Sequence, residues 1–466
     1  MPEVQRYDLI VIGSGPAGRR AAIQAAKLNR SVLVIDRGRR IGGVSVHTGT
    51  IPSKTLRETV LNLSGWRERS FYGLAYRVKK EISAADLLKR LQITLNHEVE
   101  VLEHQFARNG VMTLRGGASF VSPEEIEVTG DLGETLRYRA DRYVLAVGTR
   151  PYRPEHVPFD GDCVLDSDEI LDLKRLPRHL TVVGAGVIGV EYATIFSALD
   201  VRVTLIEARN QMLEFVDREL LANFTYDIRN RGISLRLGCK VKGIERNGNG
   251  CTIRLEDGRT VRSDMVLYAA GRMGATRDLN LPACGLECND RGRLEVDKTT
   301  FQTSVPHIFA AGDVIGFPSL ASTSMEQGRI AACRAFDHDA PDPPAFFPYG
   351  IYAVPEISTI GMTEEELREQ GIGYESGIAR FRETSRGHIM GLETGFLKML
   401  FALEDRRLLG VHIVGEGATE LIHIGQAVLN LRGTLDYFVE NTFNYPTLAE
   451  AYKIAALDAW NRMQPF

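Results

Sequence analysis

The chain carries one short pattern twice, and few folds accommodate that. Residues 7–12 are an apolar run ending in Gly13-Ser14-Gly15-Pro16-Ala17-Gly18; an alanine-rich stretch follows to Leu28, and a second apolar run, Val32 to Ile35, stops at Asp36. This spacing predicts a strand, a tight turn, a helix and a parallel strand closed by an acid. The pattern returns as Leu180 to Val183, the glycines Gly184, Gly186 and Gly189, a helical Val190 to Leu199, and Val201 to Ile206 ending in Glu207. In both copies eighteen residues separate the third glycine from the acid. The glycines let the backbone approach a pyrophosphate, which sits where helix N–H groups and dipole favour negative charge. A carboxylate at Asp36 can accept both ribose hydroxyls of an adenosine. Two such turns imply two dinucleotide sites, an arrangement for passing electrons rather than for a dehydrogenase with one cofactor.

At 466 residues the chain exceeds a single hydrophobic core,. A net charge of −4 gives no broad positive field, so nucleic acid is not expected as a partner,. The cluster Arg37, Arg39 and Arg40 reads as a solvated loop beside an anionic cofactor. The run Leu9 to Ile12 is too short to span a membrane and lacks the flanks of a signal peptide, so a cytosolic protein without a membrane partner is expected. Cys163, Cys239, Cys251, Cys284, Cys288 and Cys333 form no CxxC or paired framework, as in reduced cytosolic enzymes,. Glu420 and His423 make an E-x-x-H pair, but no second pair exists to complete a di-metal site, and no metal is expected,.

Between the fingerprints, Ala84 to Phe106 has helical spacing with Ser83 placed to cap it,. Tyr143 to Pro151 reads as a strand running into a turn at Gly148-Thr149, and Val266 to Gly271, followed by Arg272, is its counterpart later in the chain. Ile308 to Ala310 is a buried strand leading to Gly312-Asp313, and Ser319 to Phe336 a helix with a polar start at Ser322, Thr323 and Ser324. Asp337 to Pro344 is acidic and proline-rich, a linker. Beyond Ala345, alternating strands such as Gly395 to Ala402 and Leu408 to Val414 signal a different, α+β unit.

The stretch Ile41 to Leu56, IGGVSVHTGTIPSKTL, defines the chemistry. It resembles the active-site segment of the flavoprotein disulfide reductases, roughly GG-x-C-x4-C-IPSK. Gly42, Gly43, Ile51, Pro52, Ser53 and Lys54 match, but the two cysteines are replaced by Ser45 and Thr50. A hydroxyl cannot relay electrons to a disulfide, so a thiol relay is excluded. The family's C-terminal H-P-T-x-x-E motif reads Tyr445-Pro446-Thr447-Leu448-Ala449-Glu450 here, so the histidine partner of the thiol is missing as well. With HTGTIPSK retained, the segment is similar to a variant family, the soluble pyridine nucleotide transhydrogenases.

That resemblance implies an α/β chain with an FAD-binding domain in two parts, 1–150 and 272–340. An NAD(P)-binding domain at 151–271 and a dimerisation domain at 345–466 complete it. It implies FAD as cofactor, NAD(H) and NADP(H) as substrates, and a homodimer or higher homo-oligomer. Cofactor contacts are expected from Gly13, Gly15, Gly18, Asp36, Arg37, Gly42, Gly43, Ser45, Thr50, Lys54, Gly148, Thr149, Gly312 and Asp313. For the nicotinamide nucleotide they are expected from Gly184, Gly186, Gly189, Glu207, Arg209, Gly271 and Arg272. Asp313 is expected to hold a ribitol hydroxyl, and the helix after it to point N–H groups at the flavin pyrimidine. Lys54 and Glu191 are the expected catalytic pair, with the ammonium near flavin N5 and the glutamate keeping it charged. The implied reaction delivers hydride from NADPH to flavin and then to NAD in the same site. Glu207 is awkward for a 2′-phosphate: at about 5 Å and an effective dielectric near 20, repulsion is roughly 3 kcal/mol, about a hundredfold in affinity. Arg209 can offset it, so dual use with a lean toward NAD is expected. A quinone or dye reductase and a non-catalytic flavoprotein are the competing readings; retention of Lys54 and Glu191 argues against the last.

Overall fold

The computed structural model describes residues 4–248 and 250–464. Its first sheet has seven strands. Gln5–Ile12 lies at its centre, parallel to Val32–Asp36 on one side and to Thr135–Leu145 on the other, and Ile308–Ala310 joins Thr135–Leu145 in parallel. Leu9, Ile10 and Val11 have no exposed surface, because a parallel strand covered on both faces must be apolar throughout,. The register pairs Ile12 with both Ile35 and Leu145, and Leu145 with Ala310. Four strand ends therefore open on one edge, where ligands of parallel α/β sheets bind.

The second sheet is built the same way: Ser234–Arg236, Arg202–Ile206, His179–Val183, Met265–Tyr268 and Val164–Asp166, all parallel. Val183 pairs with Ile206 and with Tyr268, again aligning carboxyl ends. A short antiparallel pair, Thr149–Pro151 with Arg272–Gly274, marks where the chain enters and leaves this unit. The third unit is an antiparallel five-stranded sheet from Tyr349–Ile351 to Leu408–Val414, backed by the helices Ala418–Asn430 and Glu450–Met463. The fold is thus α/β with two Rossmann-like units and a C-terminal α+β unit. Residues 337–344, which precede the third, run without helix or strand.

The helix Ala84–Arg108 begins at a capping box, in which Ser83 Oγ accepts from the Asp86 amide and the Asp86 carboxylate accepts from the Ser83 amide,. Its buried Val99 and Leu102 pack on Val46, so this apolar stripe supports the Ile41 to Leu56 segment from behind. Two helix starts differ from the sequence expectation. The helix of the second fingerprint is Val187–Ser197, opening directly on its glycine turn rather than at Val190. The helix expected from Ser319 is Ala321–Ala335, because Ser319 takes a left-handed backbone (φ 51°) that no helix contains,.

Candidate functional site

At the first sheet's open edge, Gly13 has φ 103°, and a Cβ there would stand 2.3 Å from the Ala146 carbonyl oxygen. A Cβ on Gly18 would stand 1.8 Å from the Gly13 oxygen. Both contacts are with backbone, so only glycine lets strand, turn and helix close this tightly. Asp36 is drawn onto the turn: Oδ2 accepts from the Ser14 amide and hydroxyl (2.7 and 2.5 Å), and Oδ1 accepts from the Gly38 amide (2.7 Å). The Gly42 amide in turn donates to Ser14 Oγ (2.8 Å), which ties Ile41 to Leu56 to the same turn.

These elements enclose a cleft of about 640 Å³, within the range of cofactor pockets,. Gly13, Gly15, Asp36, Arg37, Gly43, Ser45 and Thr50 line it, together with Gly148, Thr149, Gly312 and Asp313. Gly18, Gly42 and Lys54 are not among the residues that line it. Gly312 is fixed by its amide, which donates to Gln327 Oε1 on the helix Ala321–Ala335 (2.9 Å). Burial pushes the Asp313 carboxyl upward, opposed by the charges of Arg272 and Arg293 and by hydrogen bonds with Thr149 and Ser324. A glycine turn that a Cβ would block, an acid on that turn, and Asp313 beside a helix start make a cradle of the kind FAD requires.

Lys54 and Glu191 meet. They come from the helix Thr50–Leu63 and the second fingerprint's helix, and Nζ lies 2.9 and 2.8 Å from the two carboxylate oxygens. Glu191 is 3% exposed, and unpaired its charge would cost several kcal/mol there,. The C-terminal unit completes the junction: the Tyr352 amide donates to Glu191 Oε1 (2.9 Å), and its ring lies 4.8 Å from Nζ. The pattern of the sequence gave no signal for Tyr352, since only the packing of a third unit brings it in.

Arg272 does not line the cleft. Its guanidinium donates to the Thr149 hydroxyl and carbonyl (2.8 and 3.0 Å) and to Ser167 and Asp168 (3.1 and 3.2 Å), bridging the first and second units. Asp168 also hydrogen-bonds Thr48 of the active-site segment, and burial raises its carboxyl despite Arg272. Ser14, His47 and Thr48 reach the cleft wall without having been expected there, and Ser324, from the polar helix start, lines it too. Ser14 stands between two glycines of the first turn, and its spacing alone does not mark it as a contact.

The second turn repeats the first. Gly184 has φ 104° with a Cβ position 2.6 Å from the Ala269 oxygen, and a Cβ on Gly189 would lie 1.8 Å from the Gly184 oxygen. Gly186 leaves open space in front of the helix, and Gly271 (φ 120°) closes the facing loop. Glu207 Oε2 accepts from the Ala185 amide (2.7 Å). Unlike Asp36, it is also gripped by Arg209, whose amide and Nε reach Oε1 (3.0 and 3.1 Å) and whose Nη2 reaches Oε2 (3.3 Å). Burial pushes Glu207 up, but those hydrogen bonds outweigh it and hold the carboxyl below its usual range.

None of the six cysteines lines the cleft; five are buried, and Cys288 alone is exposed. Although 88 residues apart in sequence, Cys163 and Cys251 meet behind the second sheet, with Cys251 Sγ 3.8 Å from the Cys163 carbonyl oxygen. Tyr445, at the histidine position of the motif, is 69% exposed and hydrogen-bonds Ser385. His423 is exposed and bonds Gln426 (2.7 Å). Among the described residues no group of three or more His, Cys, Asp or Glu is arranged to hold a metal, and no helix is long and apolar enough to cross a membrane.

Two sheets whose parallel strands end at matched glycine turns, joined by a lysine–glutamate pair, define a class of oxidoreductase that handles two dinucleotides. Residues 7–328 match the family model described as pyridine nucleotide-disulphide oxidoreductase, and residues 347–456 match its dimerisation domain, so the chain belongs to this family. Within it, the chain falls among the soluble pyridine nucleotide transhydrogenases. Proteins of that name from Mycobacterium bovis (strain BCG / Pasteur 1173P2) and Colwellia psychrerythraea are 49% and 42% identical to it. The alignments cover 99% and 98% of this chain and 98% of each relative. Among solved structures, LpdA from Mycobacterium tuberculosis superposes with a TM-score of 0.89 at 26% identity, covering 99% of this chain and 100% of that one. The HOCl-induced flavoprotein disulfide reductase RclA from Escherichia coli gives 0.87 at 26%, covering 97% and 99%.

Proposed function

We propose that the protein is an FAD-dependent transhydrogenase that moves hydride between NADPH and NAD in two half-reactions, with no redox disulfide. The observation that carries this reading is the lining of the cleft: Ser45 and Thr50 belong to it, no cysteine does, and the Lys54–Glu191 pair stands one turn behind Thr50. The names of the relatives support it. When bound, FAD supplies a two-electron acceptor and donor at N5 that takes hydride from one nicotinamide and returns it to another.

The roles of the chain's own residues follow from position. Asp36 and the amides around Gly13, Gly15 and Gly18 would hold the adenosine and pyrophosphate, with Arg37, Gly42 and Gly43 closing the loop. Gly148, Thr149 and Gly312 would shape the wall, and Asp313 would take a ribitol hydroxyl. Lys54, charged by virtue of Glu191, would place positive charge where negative charge collects on reduction. Gly184, Gly186, Gly189, Glu207, Arg209 and Gly271 would receive each nicotinamide nucleotide in turn, with Arg272 fixing the two units against each other. We assign 1–150 and 272–340 to the flavin domain, 151–271 to the nicotinamide nucleotide domain, and 345–466 to dimerisation in a cytoplasmic homodimer.

The test is an anaerobic titration of the purified protein. NADPH is expected to bleach the flavin band and NAD to restore it. A colourless protein that refuses FAD, or a reduced protein that quinones reoxidise quickly and NAD slowly, overturns the reading, the second outcome in favour of a quinone reductase.

A further inference from the structure

We propose that Glu214 is a second docking place for the Arg209 guanidinium, and that the choice between Glu207 and Glu214 tunes the site between NAD and NADP. The proposal rests on the assignment of both nucleotides to the second glycine turn. A carboxylate offers about four acceptor positions. On Glu207 all four are taken: Oε1 by the Arg209 amide and Nε, Oε2 by the Ala185 amide and Arg209 Nη2. Asp36, in the equivalent place of the first turn, keeps one position open on Oδ1, whose single donor is the Gly38 amide. An adenosine ribose can therefore bind Asp36 directly but can bind Glu207 only after the Arg209 side chain lets go.

The backbone cannot supply that movement. The Arg209 carbonyl accepts from the Gly238 amide (2.8 Å) and the Glu207 carbonyl from the Cys239 amide (2.9 Å), so only the half-exposed side chain of Arg209 is free to swing. A destination is already in contact: Glu214 Oε2 lies 3.1 Å from Arg209 Nη1. The loop is built to hold it there, since the buried Leu213 adopts a left-handed backbone (φ 46°) that turns the next residue outward beside Arg209,. With NAD bound, Glu214 takes the guanidinium and leaves Glu207 to the two ribose hydroxyls. With NADP bound, the 2′-phosphate requires the same guanidinium, and Glu214 competes for it. One carboxylate thus assists one substrate and opposes the other.

The experiment is equilibrium titration of the oxidised holoenzyme with NAD and with NADP, for the parent, Glu214→Ser and Glu214→Lys. An exposed ion pair is worth on the order of a two- to fivefold change in binding. Glu214→Ser is expected to tighten NADP by about that factor and to weaken NAD, opposite signs that simple damage to the loop does not produce. Glu214→Lys is expected to move both further in the same directions, with the NADP gain fading at high salt. Flavin content and thermal midpoint serve as folding controls for both variants. Arg209→Ala is the companion: it is expected to weaken NADP at least tenfold and to leave NAD unchanged or bound more tightly. If Arg209→Ala discriminates but Glu214→Ser shifts both nucleotides together or neither, the proposal is overturned while the site assignment stands. If Arg209→Ala weakens both equally, the assignment of the second turn is what fails.

Discussion

The two glycine turns of this chain share a backbone and differ in one side chain. Each aligns parallel strand ends, crosses its glycines at the same 1.8 Å limit, and binds its acid to a turn amide at 2.7 Å. At the first turn the acid is Asp36, held by neutral donors only; at the second it is Glu207, saturated by a guanidinium that also touches Glu214. The first turn is arranged as a fixed receptor. In the proposed reading, the second exchanges one internal ion pair for its ligand. That contrast matches a cofactor that stays and substrates that alternate.

The strongest way to break the comparison is to block each turn separately. Gly13→Ala forces a Cβ onto the Ala146 carbonyl and is expected to give protein without flavin absorbance, whereas Gly184→Ala should purify yellow yet fail to bleach with NADPH. Loss of flavin from both variants would show that the turns are not independent.

A second difference lies in how the units are anchored. The loop that leaves the second turn ends at Asp217, which is buried against Lys398 (1% exposed, 3.1 Å) of the C-terminal sheet, with Glu219 and Glu364 on the same ammonium. Lys398→Met leaves Asp217 buried without its counter-ion and is expected to cost about 3–5 kcal/mol, read as a lowered denaturant midpoint. If the variant is as stable as the parent, the pair is not what fastens the second unit to the third.

Lys54→Met removes the ammonium that the active-site segment presents to Glu191 on the second fingerprint's helix. It is expected to keep flavin content and slow anaerobic reduction by NADPH about a hundredfold, the scale of losing one positioned stabilising group. An unchanged rate would reduce the Lys54–Glu191 pair to a bridge between units.

The smallest effect concerns pH. Glu207 is held below its unfolded value, so the stability it contributes is present above the unfolded pKa, about 4.3, and is lost as pH falls through the lower folded value,. The difference in thermal midpoint between the parent and Glu207→Gln is therefore expected to shrink below about pH 4. A difference that grows toward acid would contradict the sign.

Much of this was legible in the sequence because it is local. The turns, their flanking strands, the capped helix after Ser83 and the replacement of cysteines by Ser45 and Thr50 all lie within short windows whose spacing has direct physical meaning. Even there, the helix expected from Ser319 begins at Ala321, since a single left-handed residue overrides helical composition. Arg272 carries no mark that tells a cofactor ligand from a bridge between units. Its five donors suit either, and only the folded chain shows that Thr149 and Asp168 receive them.

From the sequence alone came the class of fold, the two glycine turns and the expectation that no thiol relay operates, because glycine, acid and hydroxyl constrain the backbone and the chemistry wherever they stand. The packed chain decided which distant groups share one charge. Tyr352 beside Lys54 and Lys398 beneath Asp217 are set by how the units press together, and a charge contact between units obeys distance and burial rather than spacing along the chain,.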